Sequence, residues 1–131
     1  YPDTDFPLFR LGDVYLMYAE AVLRGGNGGS TTDALTYVNK LRDRAYVVDA
    51  VGKVTNLTLD FIFDERGREL VWEAQRRTDL RRFGKFISAS YLWPWKGGEE
   101  KGIGVNERYN VFPIPAADKN ANPNLVQNYD Y

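Results

Sequence analysis

The first strong pattern along the chain is a run of mostly apolar residues between positions 8 and 24. At about 100° per residue, its charged residues fall in one stripe about 80° wide. So narrow a polar stripe predicts a helix that is buried on several sides. The glycine-rich residues 25–29 then end the helix and turn the chain.

A second helical pattern follows this turn. Ser30, Thr31 or Thr32 can cap its first turn, because their side-chain oxygens accept bonds from free helical N–H groups. Apolar residues then recur at helical spacing to about position 46: Leu35, Val38, Leu41 and Ala45. Two helices joined by a short turn predict a helical hairpin, as in helical-repeat units.

Residues 58–83 predict one long charged helix, capped by Thr58 and ended by Gly84. On a helical wheel its apolar residues cluster within about 60° of one direction, and charged residues fall in or beside the same arc. A lone buried charge is costly, so these charges must be paired. We therefore predict a structural ion-pair ladder along one helix face, formed by Glu65, Arg66, Glu69, Glu73, Arg76 and Arg77.

The spacing also predicts which residues of the ladder pair. Arg66 with Glu69 and Glu73 with Arg76 are three residues apart, and Glu73 with Arg77 are four apart, so each pair would meet on a helix surface. Basic residues are concentrated near the C-terminal end of this helix, where positive charge interacts favourably with the helix dipole. The chain carries a net charge of -1, which gives no global attraction to nucleic acid.

Catalysis and metal binding are the alternatives for these glutamates. Carboxylates one turn apart could match the separation used in glycoside hydrolysis, but neighbouring arginines lower a carboxyl pKa, whereas a general acid needs a raised one. The same arginines neutralise carboxylates that could otherwise hold Ca²⁺ or Mg²⁺. Cys and His are absent from the sequence. We predict no catalytic residue, no metal site and no cofactor.

The remaining third of the chain has weaker patterns. A short helix is predicted over residues 85–90, followed by a glycine-rich loop over 91–104. Residues 111–115, VFPIP, must be extended, and Pro115 can open one helical turn. No stretch alternates strongly enough for a large sheet. The predicted fold is mainly α, with extended loops and a Pro/Asn-rich C-terminal segment.

Four stretches, in this order, are similar to the SusD/RagB family of glycan-binding lipoproteins. They are LFRLGDVYLMYAEAVLRGG at 8–26, ALTYVNKLRDRA at 34–45, DERGRELVWEAQRRTDLRRFG at 64–84 and VFPIPAADKNANPNLVQN at 111–128. Gly67 departs from the family pattern, which usually has a charged residue there, and Gln75 stands where glycine is common. The chain resembles the C-terminal portion of the family.

The resemblance implies a mostly helical fold with tetratricopeptide-like helix pairs. We expect residues 1–131 to form a single domain, the C-terminal fragment of a longer SusD/RagB-like protein. The resemblance implies oligosaccharide or polysaccharide binding without cleavage, and delivery to a TonB-dependent (SusC-like) transporter. It places the protein on the extracellular face of the outer membrane, attached only through an N-terminal lipid anchor outside these residues. A helical-repeat protein-interaction module and, less favoured, a carboxylate glycoside hydrolase are the alternatives.

Within these residues the best candidates for sugar contacts lie in the loop YLWPWKGG, residues 91–98. Aromatic rings suit the C–H face of a sugar, and amide side chains suit its hydroxyl rim. The candidate ligand-binding residues are Tyr91, Trp93, Trp95 and Asn106. The alternative is that both indoles pack under the loop as a small satellite core.

Overall fold

A computed structural model of the chain describes residues 8–46 and 52–131. The elements in this part are α1 (Leu11–Leu23), α2 (Thr31–Ala45), α3 (Leu59–Glu69), α4 (Arg76–Arg82) and α5 (Ala116–Ala121), with 3-10 turns at Lys96–Gly98 and Glu107–Asn110. These described residues contain no strand, which confirms the mainly α prediction. The chain separates into two compact units, Tyr1–Arg76 and Arg77–Tyr131. The single-domain expectation stays a prediction.

In the first unit, α1 and α2 form the predicted hairpin. Ser30 is the N-cap of α2, and its hydroxyl accepts a 3.0 Å hydrogen bond from the Asp33 N–H. The rings of Tyr15 and Tyr37 stack across the hairpin with centroids 4.8 Å apart. The capped helix start and the glycine turn therefore act as the sequence predicts.

The core of this unit lies between α1, α2 and α3. Its fully buried apolar side chains come from all three helices: Leu16, Ala19, Ala34, Val38 and Ile62. The N-cap of α3 is Thr58, as predicted, and its hydroxyl accepts a bond from the Phe61 N–H. Burial of these side chains is the main stabilising contribution to the unit.

One side of α1 differs from its prediction. The helix contacts α2 and α3, yet Leu11, Val14 and Met17 stay 62%, 44% and 43% exposed. Among the described residues, then, α1 is buried on one side rather than on several. An apolar surface of this kind is typical of a contact site for further protein.

The predicted long charged helix is wrong in one respect: it is two helices with a break. The chain leaves the helix after Glu69 and enters α4 at Arg76. Between them, Trp72 and Ala74 adopt left-handed backbone conformations with φ of 66° and 58°. Trp72 is also 97% exposed.

The break has a physical cause in Arg10. Its Nη2 donates a 2.5 Å hydrogen bond to the backbone carbonyl oxygen of Glu69. A continuing helix would use that carbonyl to accept from the N–H of Glu73. Instead, the Glu73 N–H donates to the Leu70 carbonyl, and the chain turns. A side chain 59 residues away in sequence thus ends a helix that local propensity would extend.

The predicted pairs within the charged helix are also wrong, because their members bind residues elsewhere in the chain. Arg66 pairs with Asp13 of α1 at 2.8 Å, not with Glu69. Glu69 instead binds Arg10 at 2.6 Å and Arg44 at 2.7 Å. Residues three or four apart meet on one face only within a continuous helix, so a ladder cannot continue past the end of α3.

The other members of the predicted ladder also have partners elsewhere. Glu65 binds Arg42 at 2.8 Å, and Glu73 binds Arg10 at 2.7 Å. Arg76 donates to the carbonyl of Phe63 and lies 3.8 Å from the centroid of its ring. The structural role of this set remains a prediction, now for charges that tie helices together.

In the second unit, the predicted helix over residues 85–90 is also wrong. Gly84, with φ of 67°, ends α4 as predicted, but the following residues form bends. The carbonyl oxygens of Lys85, Ser88 and Tyr91 accept hydrogen bonds from the Lys96 ammonium rather than from helical N–H groups. A cation from outside the segment again replaces helical bonding.

The C-terminal segment agrees with its prediction. At the ends of the predicted extended stretch, Val111 has φ of -120° and ψ of 162°, and Pro115, which precedes α5, has φ of -55° and ψ of 142°. The side-chain amide of Gln127 bonds both backbone groups of Ile114: it accepts from the N–H at 2.8 Å and donates to the carbonyl at 3.0 Å. This pairing fastens the polar tail to the extended segment without forming a strand.

The burial of one ion pair and the exposure of another predict that two aspartates contribute very differently to the free energy of unfolding. Asp13→Ala removes a partner of Arg66, whose side chain is only 2% exposed, so we expect a loss of about 3 kcal/mol in the free energy of unfolding. Asp43→Ala is the matched control, because Asp43 and Lys53 are 41% and 49% exposed at 3.6 Å. Its loss should be about 1 kcal/mol or less. Chemical denaturation measures both, and equal midpoint shifts would contradict the burial argument.

The left-handed backbone in the break predicts that glycine stabilises the protein at one position, whereas glycine within a helix destabilises it. Ala74 is exposed with φ of 58°, so Ala74→Gly should raise the free energy of unfolding by about 0.5–1 kcal/mol, since glycine adopts this conformation without strain. Ala21→Gly, at an exposed position of α1, should cost about 1 kcal/mol. Thermal unfolding of both variants tests the break, and destabilisation by Ala74→Gly would rule it out.

Candidate functional site

The candidate loop lies in the second unit and is held by its own backbone. The N–H of Lys96 donates to the Trp93 carbonyl at 3.1 Å, and its carbonyl accepts from the Ile103 N–H at 3.0 Å. Gly102 allows the two sides of the loop to approach, because a β-carbon there would overlap the Trp93 carbonyl oxygen. The loop is therefore a folded turn rather than an open linker.

Trp95 lies at the tip of this turn. Its side chain is 68% exposed. Its backbone is left-handed, with φ of 68° and ψ of 7°, a conformation that costs a non-glycine residue about 1–2 kcal/mol. Strained residues that survive at exposed positions are often functional. Trp95 thus has the exposure that a binding platform needs.

Trp93 is placed differently. It is half-buried, and the edge of its ring faces Tyr91, with centroids 6.2 Å apart at 60°. The Lys96 ammonium nitrogen lies 4.7 Å from the centroid of the Trp93 ring. These contacts are typical of packing, so the two tryptophans predicted as a pair have different surroundings.

An open cavity of about 440 Å³ lies beside the loop. It brings together two of the four candidates, Trp93 and Asn106, while Tyr91 and Trp95 lie outside its lining. Several other lining residues could not be identified from the sequence, because they follow no shared spacing: Phe86, Lys96, Ile103 and Tyr109. Most of the surface that lines the cavity is apolar.

Asn106 contributes less than its amide suggests. Its Oδ1 caps the 3-10 turn Glu107–Asn110 by accepting a 2.8 Å hydrogen bond from the Arg108 N–H. Its Nδ2 is then the atom that can donate to a ligand. The site therefore offers aromatic surface and an uncharged amide donor.

The chemistry of the described residues agrees with binding rather than catalysis. The Arg10 hydrogen bond holds the pKa of the Glu73 carboxyl below its usual value, the opposite of what a general acid requires. The described residues contain no cluster of three His, Cys, Asp or Glu side chains that could hold a metal ion. None of the helices in this part is long and apolar enough to cross a bilayer.

The chain is similar in sequence to two SusD-type proteins. The starch-binding protein SusD of Bacteroides thetaiotaomicron is 47% identical over 131 residues, which cover 100% of this chain and 22% of that protein. SusD-like protein P25 of Formosa agariphila is 30% identical over 124 residues, covering 92% of this chain and 23% of that protein. The chain thus spans about a quarter of the length of these relatives.

Solved structures give the same relationship. Surface glycan-binding protein A from Bacteroides thetaiotaomicron matches with a TM-score of 0.71 and 35% identity, covering 95% of this chain and 24% of that one. Its complex with laminarihexaose matches with a TM-score of 0.70 and 35% identity, covering 94% and 24%. These relatives are named as binding proteins rather than enzymes, in agreement with the predicted absence of catalysis.

The SusD family model matches residues 1–131, the whole of this chain. The similar stretches at 8–26, 34–45, 64–84 and 111–128 all lie within that match. Together with the sequence relatives and the structural matches, this confirms the resemblance found in the sequence. The chain belongs to the SusD family.

Proposed function

We propose that the chain is part of a non-catalytic protein that binds oligosaccharides at the cell surface and delivers them to a TonB-dependent (SusC-like) transporter. Family membership supports binding, since one relative is named for starch and another for surface glycans. The complex of that second relative with laminarihexaose supports an oligosaccharide as the ligand. Delivery to a transporter, and an N-terminal lipid anchor at the outer face of the outer membrane, follow from the family resemblance.

The observation within this chain that carries the proposal is the exposed, strained Trp95. Its flat indole face can stack on the C–H face of a sugar ring, an apolar contact that water does not satisfy. Tyr91 and Trp93 pack against each other in the same loop and would support the turn, while the Asn106 amide could donate to a sugar hydroxyl. We assign these four residues to an accessory glycan contact within the longer protein.

The protein-interaction alternative has one observation in its favour. The exposed apolar side of α1, with Leu11, Val14 and Met17, and the exposed Trp72 in the same unit resemble contact surfaces between proteins. This surface is compatible with glycan binding by the other unit. The glycoside hydrolase alternative is disfavoured, because the Glu69 and Glu73 carboxylates are bound by Arg10.

The proposal predicts that the two loop tryptophans respond differently to truncation. Trp95→Ala should weaken laminarihexaose binding about fivefold, from loss of a stacking contact of about 1 kcal/mol, with thermal unfolding nearly unchanged. Trp93→Ala should mainly lower the unfolding temperature, because half-buried ring packing is lost. Calorimetric titration and thermal unfolding of the same samples measure both effects.

Trp72→Ala is the matched control for exposure and backbone strain. Trp72 is 97% exposed and left-handed, like Trp95, but lies in the other unit. Its truncation should leave laminarihexaose affinity unchanged. If Trp95→Ala binds as tightly as the wild type, the assigned contact is wrong.

A further inference from the structure

Lys96 is a buried cation that forms no ion pair among the described residues. Its side chain lies next to the exposed Trp95 in sequence, yet Lys96 is only 2% exposed. Its Nζ donates to the carbonyl oxygens of Ser88 at 2.5 Å, Tyr91 at 2.6 Å and Lys85 at 3.3 Å. An ammonium has three N–H donors, so these three carbonyls use all of them.

Burial of the Lys96 charge is unfavourable unless other groups compensate for its lost hydration. Lysine is rarely fully buried without a carboxylate partner, because its charge loses hydration. Burial accordingly lowers the pKa of Lys96 below its usual value. The compensation comes from three carbonyl dipoles and from the Trp93 ring, whose centroid is 4.7 Å from the ammonium nitrogen.

The hydrogen bonds of Lys96 connect two parts of the second unit. The backbone of Lys96 belongs to the turn that carries Trp95, through its bonds with Trp93 and Ile103. Its side chain crosses to the separate segment 85–91 and bonds there at three points. The ammonium therefore fixes the Trp95 turn against the rest of the unit.

This connection bears directly on the conformation of Trp95. A left-handed tryptophan relaxes toward a more populated backbone region unless its surroundings hold it there. The bonds at Trp95 itself are few: its N–H donates to Glu100 at 3.3 Å, and its carbonyl accepts from Gly98 at 3.1 Å. The side chain of the next residue, Lys96, adds three further hydrogen bonds that hold the turn.

We propose that Lys96 is a positioning residue for glycan recognition, holding the turn that presents Trp95 without touching the sugar. This inference rests on the proposed function and extends it by one residue. Because all three N–H donors are used within the protein, Lys96 is not a direct hydrogen-bond donor to ligand. Its effect on affinity passes through Trp95.

The test replaces the ammonium while keeping the length of the side chain. Lys96→Met removes the buried charge but leaves the carbonyls of Lys85, Ser88 and Tyr91 without this donor, so we expect a lower unfolding temperature in a protein that still folds. The affinity for laminarihexaose should fall about as much as in Trp95→Ala, about fivefold, measured by calorimetry at a temperature where all samples are folded. Lys101→Met, at an exposed lysine of the same loop, is the control and should bind normally.

The double variant separates positioning from other roles. In the Trp95→Ala background, Lys96→Met should cause no further loss, because the group that it positions is already gone. A merely structural lysine would give no such coupling.

Three outcomes would overturn the inference. Lys96→Met could bind laminarihexaose as tightly as the wild type. It could also lower the affinity by the same factor whether or not Trp95 is present, which would show that Lys96 acts independently of the Trp95 ring. Loss of the folded state in both Lys96→Met and Lys96→Gln would make Lys96 a requirement of the fold instead. Failure of the proposed function gives a different result: Trp95→Ala itself would then leave affinity unchanged.

Discussion

The guanidinium of Arg10 makes the contacts that set the path of the chain where α3 ends in the first unit. It donates to the Glu73 carboxylate at 2.7 Å, to the Glu69 carboxylate at 2.6 Å and to the Glu69 carbonyl at 2.5 Å. One side chain therefore joins the start of α1 to the end of α3 and to the break that follows. Gly12 leaves room for this contact, because a β-carbon there would overlap Arg10 Nη1 and approach Glu69 Oε1.

The second unit uses the same physical device. In both units a cation from outside a segment binds its backbone carbonyls: Arg10 lies 59 residues from its acceptor, and Lys96 lies 5 to 11 residues from its own. Arg10 takes the carbonyl of Glu69, and Lys96 takes those of Lys85, Ser88 and Tyr91. Carbonyl oxygens near a chain turn are good acceptors for a buried cation, since their dipoles replace lost hydration. The result is irregular backbone held in one conformation.

This device explains what the sequence could and could not predict about the fold. Capping and turn residues act locally, so Ser30, Thr58 and Gly84 marked their helix boundaries correctly. The break before α4 could not be predicted, because its cause lies 59 residues upstream in sequence. The ion pairs between helices were missed for the same reason: wheel geometry applies only within one helix.

The candidate site was predictable in composition but not in arrangement. Aromatic residues between glycines indicated an exposed loop, and the structure places Trp95 there. The sequence could not distinguish the half-buried Trp93 from Trp95, because burial depends on Lys96 and on contacts outside the loop. Nothing in the sequence pattern marked Lys96, whose partners are backbone atoms and therefore independent of residue type.

The most direct measurement of the central claim is a double-mutant cycle on Arg10→Met and Glu73→Gln. The side chains are 25% and 31% exposed, so the pair should contribute about 1 kcal/mol of coupling to the free energy of unfolding. We therefore predict that Glu73→Gln destabilises the wild type but has little effect once Arg10 is replaced. Purely additive losses in chemical denaturation would contradict the claim that Arg10 holds the end of α3 and the break together.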